Sequence, residues 1–196
     1  MSEVPGEPSW LDGVYGEGSA RSLVEGYVHL DLTVLGEGPG AAERAVRTEE
    51  EEGWRIRLDD AEVFVPHRAE AEARRDGLTF GTGISELIDP GQWVLLGATY
   101  GRRAVEAGLF FAVDPSSDEK YAAIVADWRF AADAAAEALK FVPDGAEELG
   151  ANSFWTDMGR AAFAREPERF TRARMESDLA YYREGLDGFM DLHAEP

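Results

Sequence analysis

Residues 117–142 hold the feature that most constrains this chain. Tyr121, Ile124, Val125, Trp128, Ala132, Ala135, Leu139 and Val142 are apolar and follow the steps of three and four that a 3.6-residue period requires. Ser117 or Asp118 is placed to cap the start, and Pro143-Asp144-Gly145 stops the run. From about residue 89 onward the chain keeps this helical rhythm, and before it mostly does not. The expected fold class is α+β: an N-terminal antiparallel β meander packed against a C-terminal set of about four helices.

The first half is read as follows. Residues 1–21, rich in Gly, Pro, Ser and Glu, are expected as an irregular arm tethered by Trp10 and Tyr15. Residues 22–196 are expected as a single α+β domain, β-rich over 22–83 and helical over 89–193. In 27–35, Val28, Leu30, Leu32 and Val34 alternate with His29, Asp31 and Thr33, the period of a half-buried strand. Residues 41–48 fit either a short helix or a strand. Trp54, Ile56 and Leu58 alternate with Arg55 and Arg57, Asp59-Asp60 suits a tight turn, and Val63 and Val65 continue a partner strand. Residues 68–75 read as a short charged helix or loop, and Leu78-Thr79-Phe80 as one more strand.

In the second half, Asp89-Pro90 opens a helix whose face carries Trp93, Leu96, Tyr100, Ala104 and Ala107, with Gly108 as its expected end. Residues 109–113 read as a short buried strand or connector. A shorter helix is expected over 153–165 with Phe154, Trp155, Met158 and Ala162 inward. In the last helix Met175, Leu179, Tyr182, Leu186 and Phe189 step by four and three. Tyr181 and Tyr182 are adjacent, so one of them faces outward.

Composition excludes several function classes. The net charge is −20, from 39 acidic and 19 basic residues. Affinity for nucleic acid comes mainly from Lys and Arg releasing counterions, so a nucleic-acid partner is not expected, nor is an anionic membrane surface. No stretch approaches the roughly 20 apolar residues that cross a bilayer. Residues 1–8 have neither the basic nor the apolar region of a secretory signal. The absence of cysteine excludes disulfides, thiolate metal sites and a cysteine nucleophile. A cytoplasmic location is expected. Two lysines stand against 17 arginines, a bias of the kind a GC-rich genome produces.

No motif specifies a reaction. His29, His67 and His193 are far apart and sit in no metal-ligand spacing. Ser85 lies in Gly83-Ile84-Ser85-Glu86-Leu87, which lacks the second glycine of a nucleophile elbow. Gly81-Thr82-Gly83 lacks the third glycine of a dinucleotide loop and the Gly-Lys of a P-loop, so a turn with positive φ is the expectation. Asp59, Asp60 and Glu62 are carboxylates of the type that hold Mg²⁺ or Ca²⁺, but adjacent strand residues point to opposite sides, and a solvated turn is expected. No metal, cofactor or catalytic residue is therefore assigned. Glu49, Glu50, Glu51 and Glu52 form the clearest charge run, expected as an exposed, mobile loop.

What remains is charge. In size, acidity and missing chemistry the chain is similar to immunity proteins that silence toxic nucleases, a similarity of profile and not of a matched motif. It implies a non-enzymatic binding protein that captures a basic protein partner by long-range attraction and occludes its active site. The partner-binding residues would be Glu49, Glu50, Glu51, Glu52, Asp59, Asp60 and Glu62. The alternative is a small-molecule binder or enzyme with a site between sheet and helices, using Asp31, His29, Arg57 and Thr82. A third is a homo-oligomer assembled through exposed helical aromatics.

Overall fold

A computed structural model describes residues 18–35, 40–112 and 117–193. The chain divides into two compact units, Met1–Thr82 and Gly83–Pro196. The first holds a three-stranded antiparallel sheet and the second a set of helices, an α+β arrangement.

In the first unit, β1 (Val46–Glu49), β2 (Gly53–Leu58) and β3 (Ala61–Pro66) form a meander in the order β1-β2-β3. The two-residue turn Asp59-Asp60 fixes the register, pairing Leu58 with Ala61 and Arg57 with Glu62. Asp59 adopts φ 52°, the left-handed region that such a turn demands of its first residue. Directly paired residues share a face. Trp54, Ile56 and Leu58 therefore line up with Val65, Val63 and Ala61 on the apolar face. Helix α1 (Leu23–Leu30) covers that face so closely that a Cβ on Gly26 would lie 3.1 Å from Ile56 Cδ1. Ile56 and Val65 are fully buried there, each such side chain stabilising by roughly 1.5–3 kcal/mol.

The strand expected over 27–35 is not formed. These residues lie in α1 and in a π-helical turn, Asp31–Leu35. The cause sits upstream of the alternating run. Ser22 caps the helix, its Oγ accepting from Glu25 N–H at 3.0 Å, while the Glu25 carboxylate accepts from Arg21 N–H and pairs with its guanidinium. Leu23, Gly26 and Leu30 then supply a helical stripe that the β-like alternation of Val28–Leu30–Leu32 masked.

Residues 41–48 divide into a short helix, α2 (Ala41–Arg44), and β1. Helix α3 (His67–Asp76) follows β3 directly and ends at Gly77, φ 65°, where Leu78 N–H donates to Ala73 O. This C-terminal closure uses Leu78 for the helix end, and 78–80 is not a strand.

In the second unit, α4 (Pro90–Phe111), α5 (Asp118–Leu139) and α7 (Arg172–Leu192) pack around Ala104, Phe111, Ile124, Trp128, Ala131, Ala135 and Tyr182. Helix α4 does not stop at Gly108. The inward step from Ala104 to Ala107 to Phe111 continues through it, so 109–111 is helix and not strand. Tyr182 lies against Gly97 and Gly101 of α4, and Phe189 against Gly108, so α4 and α7 run in parallel. Gly185 gives the same room to the Trp128 ring of α5. Helix α6 (Asp157–Arg165) crosses α4 at Gly91 and Gly159, where a Cβ on Gly91 would lie 2.5 Å from Gly159 Cα. A second cluster joins Phe154, Phe163 and Phe170, with ring centroids 4.7–5.8 Å apart. Trp155, expected inward, is 43% exposed, because Phe154 takes the inward position beside it. Among the described residues no helix is long and apolar enough to cross a membrane.

Candidate functional site

The seven carboxylates singled out in the sequence all lie on the hairpins of the first unit, but at two ends of one strand. Glu49 ends β1, and Glu50, Glu51 and Glu52 form the β1–β2 turn. Asp59 and Asp60 form the β2–β3 turn at the other end of the six-residue β2, whose own ends lie about 17 Å apart at ~3.3 Å per residue. Glu62 sits on β3 between them, opposite Arg57.

Register then decides which of these charges are already answered. Arg55 and Arg57 point to the polar face. Arg55 donates to Glu50 at 2.6 Å and to Glu62 at 2.9 Å, and Arg57 donates to Glu62 at 2.8 Å. Hydrogen bonds from Arg55 hold the Glu50 carboxyl below its ordinary range, and those from Arg57 do the same to Glu62. The Arg55 guanidinium also lies over the Phe64 ring at 5.5 Å. Asp59 faces Arg44 at 3.4 Å with both side chains exposed, a pair of little energetic weight. Glu49 is 3.9 Å from the His67 ring. Glu51 and Asp60 have no cationic partner among the described residues and are exposed.

The acidic turn is exposed as expected, yet it is tied down. Glu50 N–H donates to Gly53 O at 2.8 Å, His67 N–H donates to Glu52 O at 2.9 Å, and His67 Nε2 lies 3.0 Å from Glu50 O. The His67 ring is held in turn by an edge-on contact with Trp54 at 4.2 Å. The four glutamates therefore project from a backbone fixed by the first residue of α3. His67, which the sequence left as an isolated histidine, is the residue that shapes this turn.

Two residues of the alternative site, Asp31 and Arg57, are engaged by other groups. Asp31 Oδ1 accepts from Gly40 N–H at 2.9 Å and Ala41 N–H at 2.7 Å. Burial raises its pKa against those two bonds. His29 lies in the last turn of α1, Arg57 is paired with Glu62, and Thr82 is exposed. Gly81 and Gly83 take positive φ, 94° and 75°, as the turn reading requires.

Other buried carboxylates join elements within each unit. Glu70 accepts from Leu23 N–H at 2.7 Å and from Arg74 at 2.6 Å, joining α3 to α1. Asp89 accepts from Gln92 N–H and from both donors of Thr156. In the second unit a crevice among Val94, Gly97, Ala135, Met175, Asp178 and Tyr182 has a volume of about 10 Å³, room for one water. Among the described residues no three His, Asp or Glu side chains gather as a metal would require. Compared with protein families, curated proteins and solved structures, the chain matches none.

Proposed function

We propose that this chain is a non-enzymatic acidic binding protein that pairs with a basic protein partner, in the manner of an immunity protein. The observation that carries the reading is the surplus of unanswered carboxylates on a fixed backbone. Both units carry the excess equally, −10 over residues 1–82 and −10 over 83–196. On the hairpins, Arg55 and Arg57 neutralise Glu50 and Glu62, which leaves Glu51 and Asp60 with Glu49 as the outward charges. Exposed like charges raise the free energy of the isolated fold, and a cationic surface lowers it again on binding. Capture would be steered by this field and completed by occlusion of the partner's active site.

The test is a pull-down with the tagged full chain from its native lysate at about 0.05 M and about 0.5 M salt, where screening lengths differ severalfold. One basic protein retained at low salt and released at high salt is the expected result. An empty bait at both salts contradicts the reading.

A further inference from the structure

Among the described residues, the three most exposed large apolar side chains of the second unit stand on helix ends. Phe110 is 79% exposed, Leu192 74% and Leu109 68%. Phe110 and Leu109 end α4, and Leu192 ends α7. These two helix ends meet the start of α5 in an aromatic knot. The Phe111 ring lies 5.0 Å from His193, 5.8 Å from Phe189 and 6.2 Å from Tyr121. Singly scattered exposed hydrophobics are ordinary, whereas these three all stand on the helix ends that meet at one knot.

The charge around this knot is negative on balance: Lys120 and the positive N-terminal end of α5 stand against Glu106, Asp118, Glu119, Asp191 and two negative helix C-termini. The C-termini of α4 and α7 are both directed here, and neither helix has a basic residue in its last turn to offset the negative dipole end. Asp191 adds a carboxylate at that unfavourable position, and Glu106 stands one turn before Phe110 on α4. Asp118 and Glu119 open α5 beside Tyr121. These four carboxylates have no cationic partner among the described residues.

We propose that this end of the α4–α5–α7 bundle is a docking face for a cationic amphipathic helix of a protein partner. The apolar stripe of such a helix covers Leu109, Phe110 and Leu192, and its Lys and Arg residues meet Glu106, Asp191 and the two dipole ends. The face shares with the reading above a basic partner, but it lies on the helical unit and adds the partner's shape.

The test uses the purified full chain and a fluorescein-labelled helix of Leu, Ala and Lys about five turns long. A scrambled peptide of equal composition and a peptide with Glu for Lys serve as controls. Fluorescence anisotropy is expected to show the amphipathic Lys peptide bound roughly tenfold or more tighter than either control, and Leu109→Ser/Phe110→Ser to lose that preference. Both positions are exposed, so unchanged circular dichroism confirms the fold of the variant. Equal binding by variant and parent overturns the proposal, as does equal binding of the scrambled peptide. A parent dimer in sedimentation, abolished in the variant, overturns it in favour of a second copy. Binding to phosphatidylcholine vesicles lost in the variant overturns it in favour of lipid. Loss of peptide binding in Glu49→Gln/Glu51→Gln/Asp60→Gln alone moves the site to the hairpins and spares the reading above. An empty pull-down counts against that reading without touching the peptide result.

Discussion

The buried carboxylate of Asp89 joins the starts of α4 and α6 across 67 residues of chain: its Oδ2 accepts Thr156 N–H at 2.9 Å and Thr156 Oγ1–H at 2.7 Å. Its Oδ1 accepts Gln92 N–H at 3.0 Å, and Gln92 Oε1 accepts Asp89 N–H in return. One side chain thus satisfies donors at two helix N-termini. Asp89→Ala is expected to cost the second unit about 3 kcal/mol or more, since a cap is lost and buried donors are left unpaired. Urea unfolding followed by Trp fluorescence measures it, and a loss below about 1 kcal/mol contradicts this role.

The same substitution is expected to act with opposite sign at two helical glycines. A Cβ on Gly101 would lie 2.5 Å from Tyr182 Cε1, inside the core, whereas one on Gly188 meets nothing within 4 Å. Gly188→Ala should stabilise by up to about 1 kcal/mol through helix propensity. Gly101→Ala should destabilise by about 1–2 kcal/mol, because overpacking exceeds that gain. Thermal unfolding of the two variants side by side checks the difference in sign.

Burial, with Asp178 second, pushes the Tyr182 hydroxyl up from 10 to about 12. The neutral form is favoured in the folded chain, so its contribution is complete below pH 10 and lost as pH rises through 12. Between those limits this group removes roughly 2–3 kcal/mol of stability. Tyr182→Phe should flatten the alkaline limb of the stability profile. An unchanged limb would show that other groups govern it.

Arg172 spends its guanidinium on backbone, donating to Ala146 O at 3.0 Å and Pro143 O at 2.9 Å, and so fixes the acidic loop of Asp144, Glu147 and Glu148. Arg172→Ala should speed proteolytic cleavage within 143–148 by roughly ten- to a hundredfold, since losing those bonds lowers the local opening free energy by about 1.5–3 kcal/mol. Cleavage at the parental rate would refute the clamp.

What the sequence disclosed divides by range. The cap at Ser117, the Asp89-Pro90 start and the turn at Asp59-Asp60 are local chemistry, and each stands in the structure. Alternation failed over 27–35 because a cap five residues upstream and the cover over Ile56 and Val65 outweighed it. Neutralisation of Glu62 by Arg57 was within reach, since a two-residue turn at 59–60 pairs 57 with 62. The Asp89–Thr156 and Glu70–Leu23 bonds were not, because nothing local marks a partner 67 or 47 residues away.

The central claim, capture of a basic protein by unanswered carboxylates, is tested most directly by the association rate with the captured partner across salt. The parent rate is expected to fall steeply between about 0.05 M and 0.5 M salt, with Glu49→Gln/Glu51→Gln/Asp60→Gln severalfold slower at the low end and equal at the high end. A rate indifferent to salt and to these three substitutions would contradict it.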